Sequence, residues 1–383
     1  MRVVDLYCGL GGFSAGAVEA GASVVLGVDQ VRDTTARIRT REPDESVPSQ
    51  DPIPLKRWSA NVGIEARATL ATLGPNGDNV ELPPAADDLH VHASTPCTEL
   101  SSAKISATPQ DVESGLAMLR WAIELVLQRG DRSWSLEQVS TPKTRALLAD
   151  FQSRLPDKVA YATLDAADFG SCQTRSRLIA GPPLLIQRLQ EMPASARLSV
   201  RAAFASQGMA VPAPYYKNQT RSRDGTPCMR SVEQQSHTVC SGHGLTWCDT
   251  DGRTVKVMSA RDSAILMGFP MHWTLPPGSR TGQKAVGNAL CVPMARAICE
   301  AAISIHTGQP MPVPESSQAE QSVPIPPDYL PQHPPPPPDA SDIKLRKRLR
   351  RIETKLNTIE QLVRALQAPS PSQTPNHAAH PTN

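Results

Sequence analysis

No charge of either sign dominates this chain: 39 Lys and Arg stand against 37 Asp and Glu, a net charge of +2. The molecule as a whole is therefore no electrostatic magnet for nucleic acid, and any such binding has to come from a local patch. No run of about 18 apolar residues is present to span a membrane as a helix. The N-terminus has no basic segment leading into an apolar stretch and a cleavage site. A soluble, intracellular protein with no membrane partner is expected. The eight cysteines, at 8, 97, 172, 228, 240, 248, 291 and 299, lack the dense spacing of a disulfide scaffold and read as reduced thiols. Aromatic residues make up only 4%, and 37 prolines are spread unevenly, which separates a region able to pack a core from one that is not.

The 383 residues accommodate two domains, or one large α/β domain with an inserted lobe. Arg2 to Tyr7 is a short apolar run that breaks into a glycine-rich turn. Phe13 to Ala20 then has helical character, and Val24 to Val28 is a second strand ending in Asp29. This is the opening of a doubly wound nucleotide-binding sheet. Strand-like runs at Leu89–Ala93, Ser133–Glu137, Lys158–Leu164 and Arg177–Ala180 alternate with helical stretches, notably Val112–Gln128. The alternation predicts an α/β fold, a doubly wound, mainly parallel sheet with helices on both faces.

Between about residues 187 and 255 the periodicity fades into polar sequence, and helices resume from about Ser259 to Met267 and from about Asn288 to Ser304. The expected organisation is a main domain in two parts, 1–186 and 256–306, around a lobe at 187–255. Residues 307–340, with the run Pro334 to Pro338, read as an extended proline-rich linker. Leu345, Leu349, Ile352, Leu356, Ile359 and Val363 then form an a/d stripe. It marks 341–367 as a basic amphipathic helix able to self-associate as a coiled coil, before a disordered tail at 368–383.

Several short motifs carry chemistry. The glycines of Asp5-Leu6-Tyr7-Cys8-Gly9-Leu10-Gly11-Gly12-Phe13 let the backbone approach a ligand, and the following helix offers free N–H groups to a polar or anionic group. Asp29, at the end of the second strand, is placed to accept hydrogen bonds from ribose hydroxyls, so the pair implies a nucleoside cofactor. Cys97, following Thr95-Pro96, falls where a loop at the carboxyl edge of the sheet would expose it, and a thiolate there is a strong nucleophile. Leu136-Glu137-Gln138-Val139 adds an acid at the end of the next run, and Gln173-Thr174-Arg175-Ser176-Arg177 adds two arginines. Each motif alone has a plainer reading as a tight turn, a buried thiol, a satisfied acid or solvated arginines. Their joint order favours catalysis.

With Val286-Gly287-Asn288 closing the series, the order of these motifs resembles the cytosine-5 DNA methyltransferase family, whose opening pattern is matched through Gly16. The resemblance includes Asp165 to Gly170, Ser259 through Pro270 and Gln283 to Leu290, and covers roughly residues 1 to 304. It implies a Rossmann-like methyltransferase with an inserted target-recognition lobe, S-adenosylmethionine as cosubstrate, no metal, and double-stranded DNA as partner, in a setting such as restriction-modification. Cys97 is implied to add to carbon 6 of a flipped cytosine, after which carbon 5 takes the methyl group. Glu137 is implied to hold or protonate ring nitrogen 3, Arg177 to donate to the carbonyl at position 2, and Arg175 to hold a phosphate or brace the loop. The implied cofactor pocket comprises Asp5, Tyr7, Gly9, Gly11, Gly12, Phe13 lying against the cofactor, Asp29, Asp51 at the adenine, and Asn288 brought back beside the glycine loop. Arg261 is expected to brace the lobe.

Three departures from the family pattern stand out: Thr98 where Gln is usual, Leu100 for an aromatic, and Gln138 for Asn. The side chains that shape the cysteine loop and lock it to the acid's strand are thus expected to be lost. That keeps a weak or inactive DNA- or partner-binding relative in view. The tRNA-modifying branch of the family is a further alternative, although the lobe lacks its Cys-Phe-Thr signature. Lys217, Arg221, Arg223 and Arg230 give the lobe local positive charge for groove contacts. Cys228, His237, Cys240, His243 and Cys248 have the donor chemistry for zinc, but their spacing fits no strong finger pattern.

Overall fold

The computed structural model describes residues 1–30, 58, 61–63, 67–71, 73–75, 77, 81–101, 107–221, 227–242 and 244–311. Beyond 311 lie most of the expected linker, the 341–367 helix with its self-association, and the tail, all outside the described residues. Seven strands form the main sheet: β1 (Arg2–Leu6), β2 (Ser23–Gln30), β3 (Arg67–Ala71), β4 (Leu89–Ser94), β5 (Ser133–Gln138), β6 (Ala160–Asp165) and β7 (Ser176–Gly181). Their order is β3-β2-β1-β4-β5-β7-β6, and β7 alone runs antiparallel to its neighbours. The order reverses between β1 and β4, so the carboxyl ends of those strands open the crevice where sheets of this kind hold ligands.

Side-chain alternation sorts each strand between two helix layers. Val4 and Leu6 of β1 face a core shared with α2 (Pro109–Arg129) and α3 (Pro142–Arg154), through Leu119, Ile123, Leu148 and Phe151. Val3 faces the other core, shared with α1 (Gly12–Glu19), α4 (Pro183–Glu191) and α8 (Val292–Thr307), through Phe13, Leu185, Ile186 and Ile298. The ends of α2 are fixed locally: Thr108 and Asp111 form a reciprocal capping box, and Gly130 stops the helix at φ 71°.

A second, antiparallel sheet of four strands lies between α5 (Val200–Ala205) and α6 (Ala260–Leu266). Its order is β11 (Thr254–Val257), β10 (Thr246–Cys248), β8 (Tyr215–Arg221), β9 (Pro227–Ser231). Tyr216 and Trp247 are its buried centre, and the Trp247 indole donates to Asp262 Oδ2 at 3.2 Å, tying the sheet to the start of α6.

Two expectations about boundaries change. Residue 187 falls inside α4, whose Leu185, Ile186 and Leu189 belong to the main core; the periodicity faded there because α4 and α5 are only 9 and 6 residues long. The helix expected from Asn288 begins later, at Val292, as α8 (Val292–Thr307), and Asn288 is instead the last residue of a separate helix, α7 (Ser279–Asn288). Pro293, lacking an N–H, fits the first turn of α8 and no interior position. Ser279–Thr307 is the one described stretch long and apolar enough to cross a membrane, and its apolar residues, including Val286, Ile298 and Ala301, are spent on the core.

A Cβ on Gly16 would lie 2.4 Å from the Arg296 nitrogen and 2.6 Å from the Val292 oxygen, so α1 meets α8 backbone to backbone. Gly16→Ala is expected to lower the unfolding free energy by about 1–3 kcal/mol in urea titrations. Val18→Ala, on the exposed face of the same helix, should change it by no more than about 0.5 kcal/mol.

Candidate active site

After β4 the chain turns through Thr95-Pro96-Cys97, and the Cys97 carbonyl accepts from the Leu100 and Ser101 nitrogens at 3.1 and 2.9 Å. Gln138, the last residue of β5, donates Nε2 to Thr95 O at 3.1 Å and to Thr95 Oγ1 at 2.9 Å, while its Oε1 accepts from Val139 N at 2.8 Å. The cysteine loop is thus locked to the acid's strand, contrary to the expectation from Gln138. The longer side chain still reaches the loop, and its amide supplies both a donor and an acceptor. Leu100 is buried against Gly115 of α2, where a Cβ would come within 2.8 Å of it, so an aliphatic side chain seats the other end of the loop.

Glu137, one residue before Gln138, meets Arg177 of β7, with Nε to Oε1 at 2.7 Å and both side chains largely buried. The reversed direction of β7 makes this contact, because its first residues arrive at the edge where β4 and β5 end. Cys97 is half-buried in the same electrostatic neighbourhood. Burial pushes its thiol up, the Glu137 charge adds to the effect, and Arg177 and Arg175 oppose it. The resting sulfur is therefore a thiol, held beside the cations that favour its thiolate.

Arg175 is almost completely buried. Its guanidinium donates to Val239 O at 2.8 Å, Gly287 O at 2.9 Å and Ala289 O at 3.0 Å, and burial pushes its pKa down to about 10. Of its two expected roles, bracing is the one these contacts perform; a phosphate has no access to it. Gln173 grips the same strand of chain, accepting from Val239 N at 3.0 Å and donating to Leu266 O at 2.9 Å. Lys217 donates to Gly252 O at 2.6 Å and Arg230 to Gln235 O at 3.1 Å, so these two cations tie loops of the small sheet together. Arg223 and the side chain of Arg221 lie outside the described residues. Arg261 donates to Trp273 O at 2.7 Å and thus holds the loop after α6; its neighbour Asp262 makes the tie to the small sheet.

The glycine loop follows β1 with Tyr7, Gly9 and Gly11 at φ 60°, 51° and 87°. A tyrosine in the left-handed region is strained, and this one buries a hydroxyl that has no hydrogen-bond partner among the described residues. Asp29 stands near the end of the adjacent β2. Gly11 and Gly12 are required by packing: a Cβ would lie 2.9 Å from Trp58 and Trp273 in the first case, and 2.2 Å from Leu290 O in the second. The latter contact sets the turn after Asn288, itself exposed at the end of α7, against the loop. Asp51 lies outside the described residues.

Phe13 and Asp5 differ from expectation. Phe13 is buried and lies flat on the His92 ring, with centroids 3.6 Å apart and planes 4° from parallel, so it supports the loop from below and offers no face to a ligand. Asp5 is buried too, accepting from Ser14 Oγ, which in turn accepts from Trp58 Nε1 at 3.0 Å. Burial pushes its carboxyl from 3.8 up to about 7, against the opposing pull of the Ser14 bond. Among the described residues, no group of three His, Cys, Asp or Glu side chains could hold a metal ion; His243 lies outside them. A buried row of histidines and serines beneath Phe13 escaped the sequence reading. Its signal was the period-two pairing of His90, His92 and Ser94 with Ser133, Ser135 and Glu137.

Residues 187–304 match the family model described as C-5 cytosine-specific DNA methylase. The matched segment is less than half of the chain. It contains Val239, Gly287 and Ala289, the carbonyls held by Arg175, whereas Cys97, Glu137 and Arg177 precede it. No curated protein matches the chain by sequence. Among solved structures, a candidate DNA modification methyltransferase encoded within a prophage (E. coli) is similar at TM-score 0.51 and 14% identity, over 80% of this chain and 99% of that one. That likeness shows a methyltransferase-like α/β fold. An S. pombe Dnmt2 methyltransferase aligns at TM-score 0.48 and 13% identity, over 80% of this chain and 98% of its own. An alanine-substituted Spodoptera frugiperda DNMT2 aligns at 0.45 and 13%, over 79% and 99%.

Two outcomes follow from the electrostatics. Glu137→Gln removes a charge that raises the Cys97 thiol, so iodoacetamide should alkylate Cys97 faster in the variant than in the wild type at mildly alkaline pH; an equal or slower rate would contradict the coupling. Asp5 binds its proton more tightly folded than unfolded, so its contribution to stability is present at low pH and is lost as pH rises from about 3.8 to about 7. Asp5→Asn should flatten that part of the stability profile, measured as melting temperature against pH.

Proposed function

We propose that the protein transfers a methyl group from S-adenosylmethionine to carbon 5 of cytosine in double-stranded DNA, through a covalent Cys97 adduct on a flipped base. The observation that carries this reading is the meeting of three side chains at neighbouring strand ends. Cys97 follows β4, and Glu137 of β5 is paired with Arg177 of β7 within electrostatic reach of the thiol. Cytosine is electron-rich, and carbon 5 attacks a methyl donor only after a nucleophile has added to carbon 6. The Cys97 thiolate forms that carbon–sulfur bond. Glu137 gives a proton to ring nitrogen 3 and accepts from the exocyclic amine, while Arg177 donates to the carbonyl at position 2, so charge that builds on the ring is met by groups already in place. Solvent water then takes the carbon-5 proton, the electron pair restores the 5,6 double bond as the carbon–sulfur bond breaks, and the sulfur leaves as thiolate.

The glycine loop fits a nucleoside cosubstrate. Tyr7 brings a buried hydroxyl with no partner among the described residues, and Asp29 brings a carboxylate at the edge where the strand order reverses. These residues and Gly9 would hold S-adenosylmethionine, which supplies a methyl group on a positively charged sulfur. Gln138 keeps the nucleophile's loop fixed to the acid's strand, which favours an active enzyme over a scaffold.

Labelled methyl transfer to unmethylated duplex DNA of mixed sequence tests the proposal, with tRNA and Cys97→Ala as controls and nucleoside mass analysis of the product. The expected result is 5-methylcytosine in DNA that falls to background in the variant. Methylation of tRNA alone replaces DNA with RNA as substrate, and cofactor binding without transfer to either overturns the enzymatic reading.

A further inference from the structure

His90 and His92 are completely buried beneath α1 and take no part in the chemistry above. They belong to one hydrogen-bonded chain along β4 and β5. Ser133 Oγ meets His90 Nδ1 at 2.7 Å, and His90 Nε2 meets Ser135 Oγ at 2.8 Å. Ser135 Oγ also meets His92 Nδ1 at 2.8 Å, and His92 Nε2 meets Ser94 Oγ at 2.8 Å. The parallel register builds this row, setting His90 beside Ser133, His92 beside Ser135 and Ser94 beside Glu137 on one face of the sheet. The row crosses roughly 13 Å of strand, from Ser133 at the amino edge to Ser94 at the carboxyl edge. Only these two ends are half-exposed; the three side chains between them are buried.

Burial pushes both imidazoles down, His90 to about 3, so each is neutral and carries a single ring N–H. A neutral imidazole bonded on both sides donates through one nitrogen and accepts through the other. Ser135 has one proton to give. When it gives that proton to either histidine, every donor in the row points toward Ser94 or every donor points toward Ser133. Phe13 lies flat on the His92 ring and blocks it from turning over. The row therefore changes direction only by moving protons.

We infer that this row is the proton supply line of Glu137. The inference rests on the methyl-transfer reading, in which Glu137 gives a proton to the ring and later recovers it. In delivery, the Ser94 hydroxyl proton passes through an intervening water to the carboxylate of Glu137, its register partner on β5, and the His92 Nε2 proton replaces it on Ser94. The Ser135 proton moves to His92 Nδ1, the His90 Nε2 proton to Ser135, and the Ser133 proton to His90 Nδ1; water then restores Ser133. Each group loses one proton and gains one, and the net change is one proton carried from water to Glu137. Every donor now points toward Ser133, so the next passage must run outward, as recovery of the proton after elimination requires.

Single-turnover methyl transfer to duplex DNA, in water and in deuterium oxide, tests this on the wild type, His92→Gln, Ser133→Ala and Ser133→Thr. Gln at position 92 keeps hydrogen-bonding groups for both serines but cannot exchange which end donates. His92→Gln is expected to slow transfer by at least ~10-fold and to enlarge the solvent isotope effect, with S-adenosylmethionine affinity unchanged. Ser133→Ala, at the half-exposed end where folding is not at stake, should slow transfer as well, and Ser133→Thr should restore it. Wild-type rates and isotope effects in both His92→Gln and Ser133→Ala would overturn the supply line and leave the methyl-transfer reading standing. A wild type that transfers nothing overturns that reading and the supply line with it.

Discussion

The buried guanidinium of Arg175 holds together parts of the chain that are distant in sequence. It sits at the entrance to β7 and donates to the carbonyls of Val239, Gly287 and Ala289. A charge in such a place is costly unless its donors are bonded, and three carbonyl dipoles offset that cost. The same residue thereby fixes the small sheet's returning segment, the turn after α7 and the start of the strand that carries Arg177. Since the turn after α7 packs on Gly12, the guanidinium also steadies the floor of the glycine loop. Both halves of the candidate site, nucleophile side and cofactor side, depend on this one brace.

Much of the fold was legible because its signals are local. β1, the glycine turn, α1 and β2 announce themselves within 30 residues, and the runs that became β4, β5 and β7 are short, apolar and bounded by turn residues. β3 and the four strands of the small sheet were not legible; β10 and β11 span only 3 and 4 residues, and their pairing is set by tertiary partners such as Trp247 on Asp262. The gathering of Cys97, Glu137 and Arg177 at neighbouring strand ends could be foreseen from order and chemistry. The inward turn of Phe13 could not, because an aromatic at the first turn of a helix has two sides, and the stacking partner that decides between them is about eighty residues away.

Gln138 carries a lesson about reading substitutions. Comparing residue names suggested a broken lock, whereas the amide group that makes the lock is common to Asn and Gln, and one extra methylene is absorbed by the loop. Leu100 fills its socket on α2 in the same spirit. What the site needs at these positions is a donor at one and apolar volume at the other, and both needs are met by side chains that a pattern match would score as misses.

The contacts of Gly12 with Leu290 and of Gly16 with Ala295 and Arg296 bear on the order of synthesis. α1 leaves the ribosome well before α8, which covers it and follows it by more than 270 residues. Until α8 arrives, Phe13 and Ala17 have only the sheet to lie on, and the glycine loop has no wall behind it. Long-range closures of this kind come late in folding because the intervening loop must be closed first. A nascent chain stopped short of residue 290 would hold the sheet strands and Cys97 but no finished glycine loop, so the two sides of the candidate site are completed at widely separated moments of synthesis.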